Sequence, residues 1–156
     1  LPRGSEEHSA LAAEMVGLLG NAVGDRPCRV HTSDLRIYVE SVGLATFPDA
    51  SVICGPLHQH EPSPIATAVN PTILVEVTSN SSEDYDIGAK SEYYRTIPSL
   101  REYVIVSHRE RRITVNTRGL GGKWETRVAT RGGEVNVATL ATDLVVDEVY
   151  RNSAVR

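Results

Sequence analysis

Apolar positions fall first at helical spacing. Leu11, Ala12, Met15, Val16, Leu18, Leu19 and Val23 form one stripe of a 3.6-residue repeat. Ser5, followed by Glu6 and Glu7, supplies a helix start with acids in its first turn, and Gly24 and Pro27 supply the stop. The pattern predicts an amphipathic helix of about four turns packed on a sheet. Short strands follow at Cys28 to His31 and Leu35 to Val39. In the second, Leu35, Ile37 and Val39 alternate with Arg36, Tyr38 and Glu40, so one face is wet. Gly43 turns the chain toward the apolar run Ala50 to Cys54. Gly55 to Asn70, with prolines at 56, 62 and 64, reads as a mobile surface loop at the mouth of a site.

Pro71 opens TILVEV, a central strand apolar enough to be covered on both faces. Thr78 to Ser82 is a polar turn, and Ser82 or Asp84 caps a helix from Asp84 to Thr96. On that helix Asp86, Lys90 and Tyr94 share one face, while Ile87, Tyr93 and Ile97 face the core. Pro98 stops it. Glu102 to Ser107 reads as an inner strand. Glu110 to Arg118, Trp124 to Thr130 and Glu134 to Val137 continue as a meander with glycine turns. Leu140 to Tyr150 packs back as a short strand and helix.

The length of 156 residues fits one domain spanning residues 1–156, with an opening Leu1–Ser5 that reads as a protease-site remnant. No apolar run approaches the ~20 residues needed to cross a bilayer. Cys28 and Cys54 are too few for a disulfide framework or a metal knuckle, and they read as buried free thiols in a cytoplasmic protein. The net charge of −4 argues against a protein that coats nucleic acid nonspecifically. Its distribution is uneven. Ile87 to Gly133 carries ten Lys or Arg against four Glu, and the remainder six basic against 16 acidic residues. A basic segment beside an acidic site suits a phosphate-bearing substrate; charges scattered over the wet faces of strands would give the same count.

The candidate chemistry lies in Asp49, just ahead of the Ala50 run, and Glu76, inside the apolar run Ile73 to Val77. A carboxylate in a buried strand is costly unless it is paired or binds a metal, and the sequence leaves both open for Glu76. Magnesium takes oxygen ligands and keeps several waters, so Asp49, Glu76 and the backbone carbonyl of Val77 suffice for Mg²⁺ or Mn²⁺. Lys90 would position a water or stabilise charge on phosphorus. Asp34, Asp86 and Tyr94 are the residues expected around this set, although Asp34 serves equally as a turn former.

The residues FPDASVIC, then ILVEVTSNSSEDYDIGAKSEYYRTIPSLREYVIVS, resemble the putative restriction endonuclease family related to the PD-(D/E)XK nucleases. GSEEHSALAAEMVGLL resembles that family's first helix and SDLRIYV its early strand, so the resemblance covers most of the chain. Asp86, Lys90 and Tyr94 match its D-x-x-x-K-x-x-x-Y helix motif. The resemblance implies an α/β (α+β) fold, restriction-endonuclease-like, with a mixed β-sheet flanked by helices and a divalent metal at Asp49 and Glu76. It implies a magnesium-dependent endodeoxyribonuclease with DNA as partner. Thr78 stands where the wider superfamily has lysine, and the family takes its lysine from the following helix, here Lys90.

Two other readings remain at this point. The chain could be a nuclease-fold protein, catalytically weak or inactive, that only binds. His58 and His60 could hold zinc, a pair with no third ligand in view. Exposed sheet edges and a tyrosine-rich surface suggest a homodimer.

Overall fold

The computed structural model describes residues 5–61 and 64–156. The protease-site reading of residues 1–5 falls almost wholly outside them, as does Pro62. Helix α1 (Glu6–Val23) starts where expected: the Ser5 side chain accepts a hydrogen bond from the His8 amide at 3.1 Å. Leu11, Met15, Leu19 and Val23 are its buried stripe, one residue per turn, so the helix lies along the sheet.

The main sheet has six strands in the order β1 (Cys28–Thr32), β4 (Ala50–Cys54), β6 (Ile73–Val77), β7 (Glu102–Val106), β8 (Arg112–Arg118) and β9 (Trp124–Thr130). Only β6 and β7 run parallel; every other pair is antiparallel. Every residue of β6 and β7 is buried, which explains their near-continuous apolar sequence. A second sheet, β3 (Leu44–Thr46), β2 (Arg36–Val39) and β5 (Thr67–Ala68), covers part of one face. Two cores result. Ala50, Val52, Val75 and Val77 pack with the α1 stripe on one face. Ile53, Leu74, Tyr103 and Ile105 pack with Ile37, Val39, Tyr94 and Ile97 on the other.

Several expectations need correction. The stretch read as one helix from Asp84 to Thr96 is two, α2 (Glu83–Ile87) and α3 (Ala89–Arg95), broken at Gly88. A Cβ on Gly88 would stand 2.9 Å from the Asp84 carbonyl oxygen, so the chain can fold back tightly only with glycine there. The break rotates Ile87 out of the core, leaving it 57% exposed. The loop Gly55 to Asn70 contains β5, and Leu44 to Thr46 forms a strand too short to show a period. Glu134 to Val137 leaves the meander: as β10 it pairs with β11 (Thr142–Val145), which leads into α4 (Val146–Val149). Three of the six tyrosines, Tyr94, Tyr103 and Tyr150, are fully buried, so the surface is not tyrosine-rich.

The cysteines are not free thiols. Cys28 and Cys54 are directly opposed in the β1–β4 register and form a disulfide, with Cα atoms 3.9 Å apart. The thiol argument for a reducing compartment goes with that correction. Sequence could not show that they meet, because β2 and β3 intervene and the two lie 26 positions apart. Titration of the denatured, unreduced chain with a thiol reagent is expected to find none, and reduction to cost about 3 kcal/mol of stability by urea unfolding. Two thiols per chain would contradict the pairing.

Glu102 is the other acid buried in the sheet, and its environment is structural. Its carboxylate accepts from Thr117 Oγ1 at 2.8 Å and from the amides of Ala138 and Thr139 at 3.1 and 2.8 Å. It thereby ties the turn after β10 to the middle of the sheet. Glu102→Ala would strand these donors in the interior. A loss of about 3–5 kcal/mol is expected, read as a lower urea midpoint at unchanged slope.

Candidate active site

The ladder between β4 and β6 ends at Ala50 opposite Val75. One step further along, Asp49 meets Glu76, and side chains take over the pairing. The Asp49 amide donates to Glu76 Oε1 at 3.1 Å, and the Val77 amide donates to Asp49 Oδ2 at 2.7 Å. The two acids, 27 positions apart in sequence, are thus fixed side by side by the sheet register itself.

Lys90, from α3, donates to the other Glu76 oxygen, Oε2, and lies 3.2 Å from Asp86 Oδ1. The salt-bridge alternative for Glu76 is therefore realised, with Lys90 as partner. Asp86 is positioned from both sides: Ser82 Oγ donates to its Oδ2 at 2.8 Å, and the Tyr103 hydroxyl donates to its backbone carbonyl at 2.9 Å. Its Oδ1 is buried with no directed hydrogen bond, only the nearby ammonium. Tyr94 lies beneath, edge-on to Tyr103 at 5.0 Å, with its hydroxyl 3.3 Å from Thr46 Oγ1. Asp34 sits exposed in the turn between β1 and β2, where its amide bonds Thr32 Oγ1 at 3.4 Å.

Three carboxyl groups, Asp49, Glu76 and Asp86, lie close together, and the Lys90 ammonium meets two of them, Glu76 and Asp86. Burial pushes the Glu76 carboxyl up to about 8; Lys90 opposes this, and the neighbouring Asp49 and Asp86 add to it. Burial pulls the Lys90 ammonium down, but Glu76 and Asp86 outweigh it and hold its pKa above the ordinary lysine value. Burial, then the Glu76 charge, raises Tyr94 and Tyr103 well above a free phenol. Asp49 and Asp86, with a Glu76 carboxyl that ionises only toward about pH 8, put several oxygen donors close together, and such donors suit a hard cation. Among the described residues, no group of three His, Cys, Asp or Glu side chains is placed to hold a metal ion.

Sequence reasoning missed His8. Its Nε2 lies 3.2 Å from Asp49 Oδ1. The signal was present, since His8 continues the stripe of Ala12, Met15 and Leu19 back to the start of α1, a polar residue in line with a buried face. His60 is used elsewhere, stacked on Tyr38 at 4.1 Å and 3.4 Å from Glu40. Much of the basic segment is also engaged: Arg109 pairs with Glu83, Arg111 with Asp147, and Arg118 donates to the Leu100, Arg95 and Ile97 carbonyls. A 340 Å³ groove beside α2 and α3 is lined by Ser91, Arg95, Arg112, Thr114 and Asn116, and by none of Asp49, Glu76, Asp86 and Lys90.

Comparison with known proteins bears on the whole chain. The family model Uma2, described as "Putative restriction endonuclease", matches residues 1–147. The chain belongs to this family. A relative from Synechocystis sp., "Uncharacterized protein slr1290", is 29% identical over 151 residues, covering 97% of this chain and 78% of that protein. A second, "Uncharacterized protein sll1609" from the same organism, is 32% identical over 102 residues, 65% of this chain and 57% of that protein. The fold matches the crystal structure of a putative nuclease belonging to DUF820 from Anabaena variabilis, with a TM-score of 0.76, 18% identity, and coverage of 96% of this chain and 83% of that one. The restriction-endonuclease-like α+β architecture expected for a Uma2 member is thus present. No described helix is long and apolar enough to cross a membrane.

Proposed function

We propose that this Uma2 chain is a divalent-metal-dependent endonuclease that hydrolyses phosphodiester bonds of DNA. The observation that carries the reading is the fusion of Asp49 and Glu76 at the ends of β4 and β6, with the Lys90 ammonium on Glu76. Asp49 Oδ1, Glu76 and the Val77 carbonyl are the oxygens that would hold Mg²⁺ or Mn²⁺. Such an ion polarises a phosphoryl oxygen and lowers the pKa of a water. The residues do the rest. Asp49, locked by the Val77 amide, keeps its orientation without reorganising. Asp86, held by Ser82, keeps Lys90 over Glu76 when the Glu76 charge is shared with a cation. Lys90 is then free to offer a proton-bearing nitrogen to the attacking water or to charge building on phosphorus. Lys90 supplies from α3 the ammonium that Thr78 cannot.

The test is cleavage of supercoiled plasmid, linear duplex, single-stranded DNA and RNA with Mg²⁺ or Mn²⁺ and with chelator. Metal-dependent nicking of DNA is expected. A folded chain inert on every substrate with either ion would end the reading. One observation favours a second reading, a scaffold that binds without cutting: both Glu76 oxygens already have partners. DNA binding unaffected by metal, without cleavage, would support that alternative. The open edges β1 and β9 suit a homodimer able to cut both strands, checked by sedimentation.

A further inference from the structure

Of the two open edges, β9 is the longer and the less protected. It runs seven residues, Trp124–Thr130, without proline or glycine, and no described strand pairs with its outer side. β10 does not run along it: it pairs with β11 and packs Val135 and Val137 with Val115 and Ala129 in the core. Such an edge is a template for another strand. The ladder with β8 fixes which groups it offers. Gly119 donates to the Lys123 carbonyl at 2.6 Å, and Arg118 turns its amide the other way, to the Arg101 carbonyl at 2.8 Å. The hydrogen-bonded pairs therefore continue as Thr117 with Glu125, Val115 with Arg127 and Ile113 with Ala129. The backbone groups of Trp124, Thr126, Val128 and Thr130 point outward.

A second copy running antiparallel can join only in registers that set these outward residues against one another. Centred on Glu125, the pairing puts Glu125 against Glu125; centred on Arg127, it puts Arg127 against Arg127, and like charges directly opposed are destabilising. Centred on Thr126, it puts Glu125 opposite Arg127 twice, in the closer, non-hydrogen-bonded positions, and Trp124 opposite Val128 twice. Glu125 is exposed and has no ion pair among the described residues. Arg127 is 39% exposed, with Nη2 on Thr117 Oγ1 and the Asn136 carbonyl. Val128, 46% exposed, would gain a tryptophan neighbour. The same two-fold brings the turn that carries Leu120, 99% exposed, beside the turn after Thr130 of the second copy. β1 has no matching register. Its outward groups belong to Cys28, Val30 and Thr32, so Arg29 meets His31 or like meets like, and the strand holds no acid.

We propose that two copies of this chain join edge to edge through β9, antiparallel, with Thr126 on the two-fold axis, to form one continuous sheet. The contact is isologous and closes on itself, so it stops at a dimer. This rests on the homodimer reading above, to which it gives an edge and a register, and uses nothing of the acid cluster.

Sedimentation equilibrium of the tag-free chain tests this apart from cleavage. A paired edge is a small interface, so a dimer with Kd on the order of 10 µM is expected. Glu125→Arg sets like charges opposite at both ends, and Thr126→Pro removes an outward amide that β8 does not use. Each should weaken the dimer at least about tenfold, with a melting temperature within a few degrees of wild type. Val30→Pro, the same change on the edge of β1, should leave the dimer intact. Mild oxidation fixes the register without relying on those variants. Thr126→Cys should form a covalent dimer, because facing Cα atoms about 5.5 Å apart lie within disulfide reach, and at least about tenfold faster than Glu125→Cys. A dimer unchanged by both β9 variants, or lost in Val30→Pro alone, overturns the inference and leaves the homodimer reading standing. Faster linking of Glu125→Cys overturns the register. A wild type that stays monomeric at about 100 µM, tenfold above that Kd, overturns both.

Discussion

Asp49→Asn should cut metal-dependent DNA cleavage about 10³-fold, as the loss of several kcal/mol of charge stabilisation implies. Asparagine is the informative substitution. Its side-chain oxygen can still accept from the Val77 amide, so the junction of β4 and β6 survives and only the charge goes. Asp49→Ala would also strand that amide at the sheet end, costing about 1–2 kcal/mol of stability and blurring the outcome. A melting temperature within a few degrees of wild type, together with lost cleavage, would assign Asp49 to chemistry. Cleavage retained by Asp49→Asn at wild-type rate would refute the site. Metal affinity should also climb with pH toward about 8, because the cation must displace the Glu76 proton.

Lys90→Ala should lower cleavage about 10²–10³-fold and also destabilise the fold in a pH-dependent way. The Glu76 carboxyl titrates near 8 in the folded chain, above its ordinary 4.5, through burial first and neighbouring carboxylates next. The folded state therefore holds a proton that the unfolded chain gives up. The stabilisation from this group is complete below about pH 4.5 and is lost as pH rises through 8. Removing Lys90 removes the influence that holds the titration down, so the loss extends to higher pH. Near pH 6 Glu76 is neutral in both proteins, and the variant should lose about 1 kcal/mol. Near pH 9 the wild type ionises Glu76 against an ammonium, whereas the variant must keep it protonated or leave it unpaired, and the deficit should grow to about 3 kcal/mol. Urea unfolding at the two pH values measures both, and Glu76→Gln should flatten the difference. Equal deficits at pH 6 and 9 would show that Glu76 is not the titrating group.

The two buried acids of the inner strands show why sequence alone stops short. Glu76 and Glu102 look alike on paper, each an acid beside a buried apolar run. Only the fold shows Glu102 fully occupied by Thr117 and two backbone amides, and Glu76 facing two more acids and a lysine. The same holds for arginines: a basic segment by composition, yet Arg118 is spent on carbonyl oxygens and Arg109 on Glu83.

Local pattern determined much of the architecture. The stripe of α1, the unbroken apolar character of β6 and β7 and the alternation in β2 are period effects, written in residues close together, and each element formed where its period lies. The nearness of Asp49, Glu76 and Lys90 was legible too, because the order of strand, strand and helix brings them together. Contacts between distant segments were decided by tertiary structure. The Cys28–Cys54 bond depends on a register with two strands between its ends, the break at Gly88 on a carbonyl that excludes any Cβ, and the nearness of His8 to Asp49 on where α1 crosses the sheet. Periodicity reports which face of an element is buried; it carries no information on which other element buries it, and the cluster of Asp49, Glu76, Asp86 and Lys90 is made at those meetings.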